Sequence, residues 1–149
     1  MCVTIVLASG VFDLIHYGHI RFLEEARRLG GRGSKLVVII ATDETVRRLK
    51  GRKPIIPEDQ RRAVVEAMRV VDEALLGYED ADFAAVIDKV KPDVIALGYD
   101  QDDVERQTHE AMMRKGLRIR VVKLGRFGGE ELNSSSKIKR RIVEDYSRA

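Results

Sequence analysis

The sequence predicts an α/β protein built on a five-stranded parallel sheet with helices on both faces. Three observations lead there. The runs VTIVLA, KLVVIIAT, DEALLG, DVIALG and RIRVVKLG are short, rich in Val, Ile and Leu, and mostly without polar alternation, as strands buried on both faces are. Segments with helical spacing lie between them. The connections are mostly short, so strand and helix alternate along the chain with right-handed crossovers.

The first run, residues 3–8, hands over to GVFDLIHYGH, Gly10 to His19. A helix follows, with Phe22, Leu23, Ala26 and Leu29 along one side and Arg21, Glu24, Glu25 and Arg28 outside it. The second run ends at Thr42-Asp43. A second helix is expected from Pro57 or Glu58, because proline suits a first turn and acids suit the positive end of the dipole. Val64, Ala67, Met68 and Val71 would lie along its buried side. After the third run, Asp82 caps a helix to Val90 that buries Phe83, Val86, Ile87 and Val90. The fourth run leads through Gly98-Tyr99-Asp100-Gln101 into a helix over Asp103 to Lys115, stopped by Gly116. The fifth leads through Gly125-Arg126-Phe127-Gly128-Gly129 to a last helix after Asn133, running through Ile138, Ile142 and Val143. Such sheets bind ligands outside the carboxyl ends of the strands, where strand order reverses. Four connections should therefore share one rim: the Gly10–His19 stretch, Thr42-Asp43, 98–101 and 125–129.

Composition narrows the function classes. The 149 residues suit one domain over 1–149, and a second core would be hard to fit. With 44% hydrophobic and 34% charged residues the chain is outside the range of disordered sequences. The formal charge is +3, yet acids and bases alternate, so no basic arm offers itself to nucleic acid. Cys2 is the single cysteine, which excludes an internal disulfide and a cysteine metal cluster and fits a reducing cytoplasm. No signal-like segment and no run of about 18 apolar residues is present, so neither secretion nor a membrane span is expected.

The Gly10–His19 stretch holds two of the three histidines at a strand-to-helix junction. It has neither the glycine spacing of a dinucleotide fingerprint nor the Gly-Lys-Ser/Thr of a P-loop. His16 and His19 could be half of a zinc site, but a catalytic zinc takes three protein ligands and the remaining histidine, His109, is far along the chain among polar residues. They could be core residues. The third reading is an anion clamp: two imidazoles one turn apart point the same way, beside free amides and the positive end of a helix dipole.

These residues resemble the G-x-F-D-x-x-H-x-G-H signature of the cytidylyltransferase-like nucleotidyltransferases, whose fold is a small Rossmann-like sheet. Six fixed residues coincide, Gly10, Phe12, Asp13, His16, Gly18 and His19. The likeness extends over nearly the whole chain. Lys50 lies where the family carries a phosphate-binding lysine, Arg61 and Arg62 open the following helix, Gly98 to Gln101 is similar to the G-Y-D-Q of archaeal members, and Asn133 to Ile138 is similar to the closing I-S-[ST]-[ST]-x-I. Ala8, Ser9 and Val11 stand where threonines are often found, and cysteines near the tail of some relatives are absent.

The resemblance implies transfer of a nucleoside monophosphate from an NTP to a phosphate ester with release of pyrophosphate. It implies His16, His19 and Lys50 as catalytic residues. It implies Val11, Phe12, His16, Tyr17, Gly18, His19, Gly98, Asp100, Arg126, Ser135, Ser136 and Lys137 at the nucleotide, and Asp13, Asp43, Arg61 and Phe127 as acceptor candidates. Ser134 to Ser136 also read as helix caps. Magnesium should accompany the triphosphate, without a protein cage for it. The likeness is greatest to archaeal FAD synthases, which implies ATP and FMN; alternatives are a glycerol-3-phosphate cytidylyltransferase using CTP, and a nucleotide- or flavin-binding module without turnover. A homodimer is compatible with the family.

Overall fold

The computed structural model describes residues 3–80, 82–127, 129 and 131–147. Cys2 and Gly128, singled out in the sequence, lie outside the described residues. In chain order the elements are β1 (Ile5–Gly10), α1 (Tyr17–Gly30), β2 (Lys35–Ile40), α2 (Asp43–Lys50), α3 (Glu58–Glu66), β3 (Glu73–Leu76), α4 (Phe83–Val90), β4 (Val94–Leu97), α5 (Asp102–Lys115), β5 (Arg120–Lys123) and α6 (Ser135–Tyr146). Each of the apolar runs forms one strand, the first continuing past its run to Gly10. All neighbours are parallel, in the order β3-β2-β1-β4-β5. This is a Rossmann-like sheet, and its order reverses between β1 and β4.

Alternate residues of each strand face opposite layers, because side chains in a strand alternate. Val6, Ala8, Leu36, Val38, Ile40, Val94 and Ala96 pack with Phe22, Leu23 and Ala26 of α1 and Val65 of α3. Leu7, Ile39, Ile95 and Leu97 pack with Phe83, Val86 and Ile87 of α4 and Ala111 of α5. Helices therefore cover both faces. None is long and apolar enough to cross a membrane among the described residues.

Two expectations need correction. The segment after β2 is not a plain connection but the helix α2. Its start is signed by Thr42, whose hydroxyl accepts from the Thr45 amide at 3.2 Å, and its end by Gly51 in the left-handed region at φ 75°. Its apolar side is only Val46 and Leu49 among charged residues, too thin a stripe to stand out. In α3 the buried side is Arg61 and Val65, whereas Val64 is 46% exposed and Ala67 lies beyond the helix end at Glu66. The buried arginine turned the face, and periodicity that treats arginine as an outside residue cannot find it.

Candidate active site

Each fixed residue of the Gly10–His19 stretch has a local task. Phe12 and Leu14 both sit in the left-handed region at φ 54°, so the chain leaves β1 through a strained bend. A side chain at Gly10 would come within 2.7 Å of the Phe12 ring, so glycine there makes room for it. Phe12 in turn backs His19, with ring centroids 5.3 Å apart. A side chain at Gly18 would come within 2.9 Å of both the His16 ring and the Phe127 carbonyl oxygen. The close approach that Gly18 permits is thus between protein segments, the His16 ring and the loop after β5.

His16 stands at the N-cap of α1, and its backbone amide donates to Nδ1 of His19 at 3.2 Å. That contact fixes a tautomer: Nδ1 of His19 accepts, so Nε2 carries the proton and is the donor left for a ligand. The two imidazoles stack with centroids 3.8 Å apart. Burial and the neighbouring His16 push His19 down to about 4, and burial lowers His16 as well. Both rings are therefore neutral near pH 7. Nδ1 of His16 is the one buried side-chain nitrogen or oxygen without a hydrogen-bond partner among the described residues. A buried polar atom left so is uncommon away from functional sites.

Asp13 ties three segments together. Its carboxylate accepts from the amides of Ile55 (2.9 Å) and Ile56 (3.0 Å) and pairs with Lys139 of α6 at 3.1 Å, while its carbonyl accepts from the Ser135 hydroxyl. Burial by itself would raise this carboxyl; the two amides and Lys139 outweigh it and hold it below its ordinary value. The N-terminus of α6, capped by Ser134 accepting from the Lys137 amide at 3.2 Å, is in this way bolted beside that of α1. Two positive dipole ends border one space.

The rest of the rim follows. Asn133 is buried; its Oδ1 accepts from Arg126 (3.3 Å) and Lys137 (2.9 Å), and its Nδ2 donates to the Gly129 carbonyl. The Arg126 guanidinium lies 5.1 Å from the centre of the Tyr99 ring. Gln101 spans the reversal of strand order, its Oε1 accepting from the Gly98 amide (2.7 Å) and its Nε2 donating to the Ser9 carbonyl (3.1 Å).

A cleft of about 980 Å³ opens over this point. Val11, Phe12, Asp13, His16, Gly18, His19, Lys50, Gly98, Asp100, Arg126, Phe127, Ser135 and Ser136, all singled out from the sequence, line it. Four do not. Tyr17 is 62% exposed and reaches away, leaving only its backbone in the first turn of α1. Lys137 faces a neighbouring hollow with Arg126, Gly129 and Asn133. Arg61, 1% exposed, donates to the carbonyls of Ile56 (2.8 Å) and Val11 (2.6 Å) and pairs with Asp43 at 2.7 Å, so these two of the four acceptor candidates lie under the cleft as a brace. Sequence reasoning missed the tasks of Asn133, Gln101 and Lys139. Only Lys139 left a usable signal, its i, i+4 spacing from Ser135.

No cluster of three or more His, Cys, Asp or Glu residues able to hold a metal ion occurs among the described residues. A hydrated cation carried by phosphate oxygens suits such a cleft, because magnesium usually keeps several waters and takes few protein ligands.

Residues 7–141 match the family described as Cytidylyltransferase-like. A FAD synthase of Ferroglobus placidus is 51% identical over 138 residues, 93% of this chain and 87% of that protein. A FAD synthase of Methanopyrus kandleri is 46% identical over 143 residues, 96% of this chain and 94% of that protein. A crystal structure described as the lipopolysaccharide core biosynthesis protein from Thermoplasma volcanium superposes with a TM-score of 0.76 at 37% identity, covering 85% of this chain and 100% of that one. A protein of Archaeoglobus fulgidus, 20% identical with a TM-score of 0.62 over 80% of this chain and 87% of its own, shares the fold.

Proposed function

The chain belongs to the cytidylyltransferase-like family, and from that premise we propose that it is an FMN adenylyltransferase, converting ATP and FMN to FAD and pyrophosphate. The observation that carries this reading is the meeting of two histidines and two helix N-termini at one cleft, in a chain whose relatives, over more than nine-tenths of its length, are FAD synthases. An oxygen of the FMN phosphate forms the new bond to the α-phosphorus, and the bond from that phosphorus to the bridging oxygen of the β-phosphate breaks. The electron pair leaves with pyrophosphate. No proton has to be removed from a phosphate already ionised near pH 7, so no general base is required, and the protein positions reactants and offsets charge.

His19 Nε2–H and the His16 ring donate to the triphosphate where charge builds up. The amides opening α1 and α6 add donors, and Ser136 stands on that rim. Lys50, exposed at the end of α2, is a mobile positive charge for the outer phosphates, and Arg126 is a second, aimed by Asn133 and Tyr99. Family members generally handle the nucleotide with a divalent cation, here magnesium. It would neutralise phosphate charge, held by phosphate oxygens and water, and Asp100 is an exposed carboxylate on the rim.

A panel of four NTPs against FMN and glycerol 3-phosphate, read by pyrophosphate release and product mass, tests the reading. FAD from ATP and FMN is expected. CDP-glycerol from CTP would replace it with the cytidylyltransferase reading, and binding without pyrophosphate would reduce the chain to a binding module.

A further inference from the structure

Over β2 and β3 the cleft changes character. Val46 and Leu49 of α2, Tyr78 of the loop after β3, and Phe83 and Val86 of α4 line it there, with Lys50, Arg52, Lys53 and Asp82 as its charged edge. Val46, Phe83 and Val86 are buried, and the last two belong to the same apolar layer as Ile39, so the base of this arm is continuous with the core. Leu49 and Tyr78, in contrast, are 74% and 41% exposed. The wall that carries them is firm. The buried Thr45 hydroxyl lies within hydrogen-bond distance of the Tyr78 carbonyl (3.4 Å) and the Glu79 carbonyl (3.3 Å), tying the first turn of α2 to the loop after β3.

Over β4, on the other side of the reversal, polar residues predominate, with Asp100, Gln101, Arg106 and Gln107 beside Tyr99 and Val104. Reaction requires both sets of phosphates at the centre, beside the N-termini of α1 and α6. The two non-reacting ends then leave by different arms. A polar acceptor such as glycerol phosphate would leave Leu49 and Tyr78 in water, whereas a large flat apolar ring would cover them.

We propose that the arm formed by Val46, Leu49, Tyr78, Phe83 and Val86 seats the isoalloxazine ring of FMN, with Leu49 and Tyr78 selecting a flavin over a small polar phosphate ester. This rests on FMN being the acceptor. Leu49→Ala and Tyr78→Ala, both at exposed positions, should raise KM for FMN roughly tenfold or more while KM for ATP stays within about twofold. Titration of flavin fluorescence should weaken FMN binding by the same factor, and Tyr78→Phe and Leu49→Met should restore most of it. Unfolding midpoints matching the wild type would separate lost contact from lost structure. Unchanged FMN affinity in both alanine variants of an enzyme that makes FAD overturns the assignment alone, as does an equal loss for ATP. A wild-type protein that makes no FAD overturns the function and the assignment together.

Discussion

Neutral histidines are the feature of single residues with most consequence. His16→Ala or His19→Ala should lower kcat by roughly a hundredfold or more with folding kept, the scale of a lost oxyanion donor; stopped assays of FAD formation check it, and an active His19→Ala enzyme would contradict the role. Both imidazoles lie below their ordinary value of 6.5 in the folded protein, His19 at about 4, so the unfolded chain binds more protons as pH falls below 6.5. Their contribution to stability is complete above pH 6.5 and is lost as pH falls from 6.5 through about 4. The lowered Asp13 carboxyl adds a further loss as pH falls below its ordinary 3.8. Urea midpoints measured from pH 7 to 4 should fall for the wild type and fall less for His19→Gln. A polyphosphate beside these rings favours their charged form. Binding of a non-hydrolysable ATP analogue between pH 5 and 6.5 should therefore take up protons, seen as calorimetric heats that change with the ionisation enthalpy of the buffer. The spacing of His16 and His19 is plain in the sequence. Their tautomer and charge are not, because these depend on the His16 backbone amide and on burial in the folded chain, where Phe12 backs His19.

Among elements, α2 and α3 show how a charged side chain can decide a face. Arg61 links α3 to Asp43 at the start of α2 and to the carbonyl of Val11 in the loop after β1. Arg61→Ala would leave those acceptors without their donor under a closed surface, so unfolding free energy should drop by about 3 kcal/mol in urea titrations. An Arg61→Ala protein of wild-type stability would show that the brace is dispensable. Removing the cap of α6 with Ser134→Ala should cost about 1 kcal/mol, readable in the same titration. Five of the six helices were legible from an apolar stripe, a cap or a stop, as at Pro57, Asp82 and Gly116. α2 was hidden because its stripe is two residues wide, and the buried side of α3 because Arg61 is inside.

The whole molecule is organised by the reversal between β1 and β4, where Gln101 joins the two strand ends and the cleft opens. The sheet beneath must be rigid for this to hold. Leu7 on the central strand is fully buried, and Leu7→Ala should cost about 3 kcal/mol of stability, measured by denaturant unfolding. The sequence by itself determined the α/β class, the five strands and most of the residues that line the cleft, because apolar runs, helical spacing and the Gly10–His19 motif are local patterns whose meaning needs no distant partner. Only the tertiary structure decided that Arg61 and Asp43 brace the cleft from below, that Asn133 aims Arg126, that Tyr17 turns outward, and that an apolar arm lies over β2 and β3. All of these depend on contacts made only in the folded chain, and a pairing such as that of Arg61 with Val11, 50 positions apart, leaves no period in the chain to read.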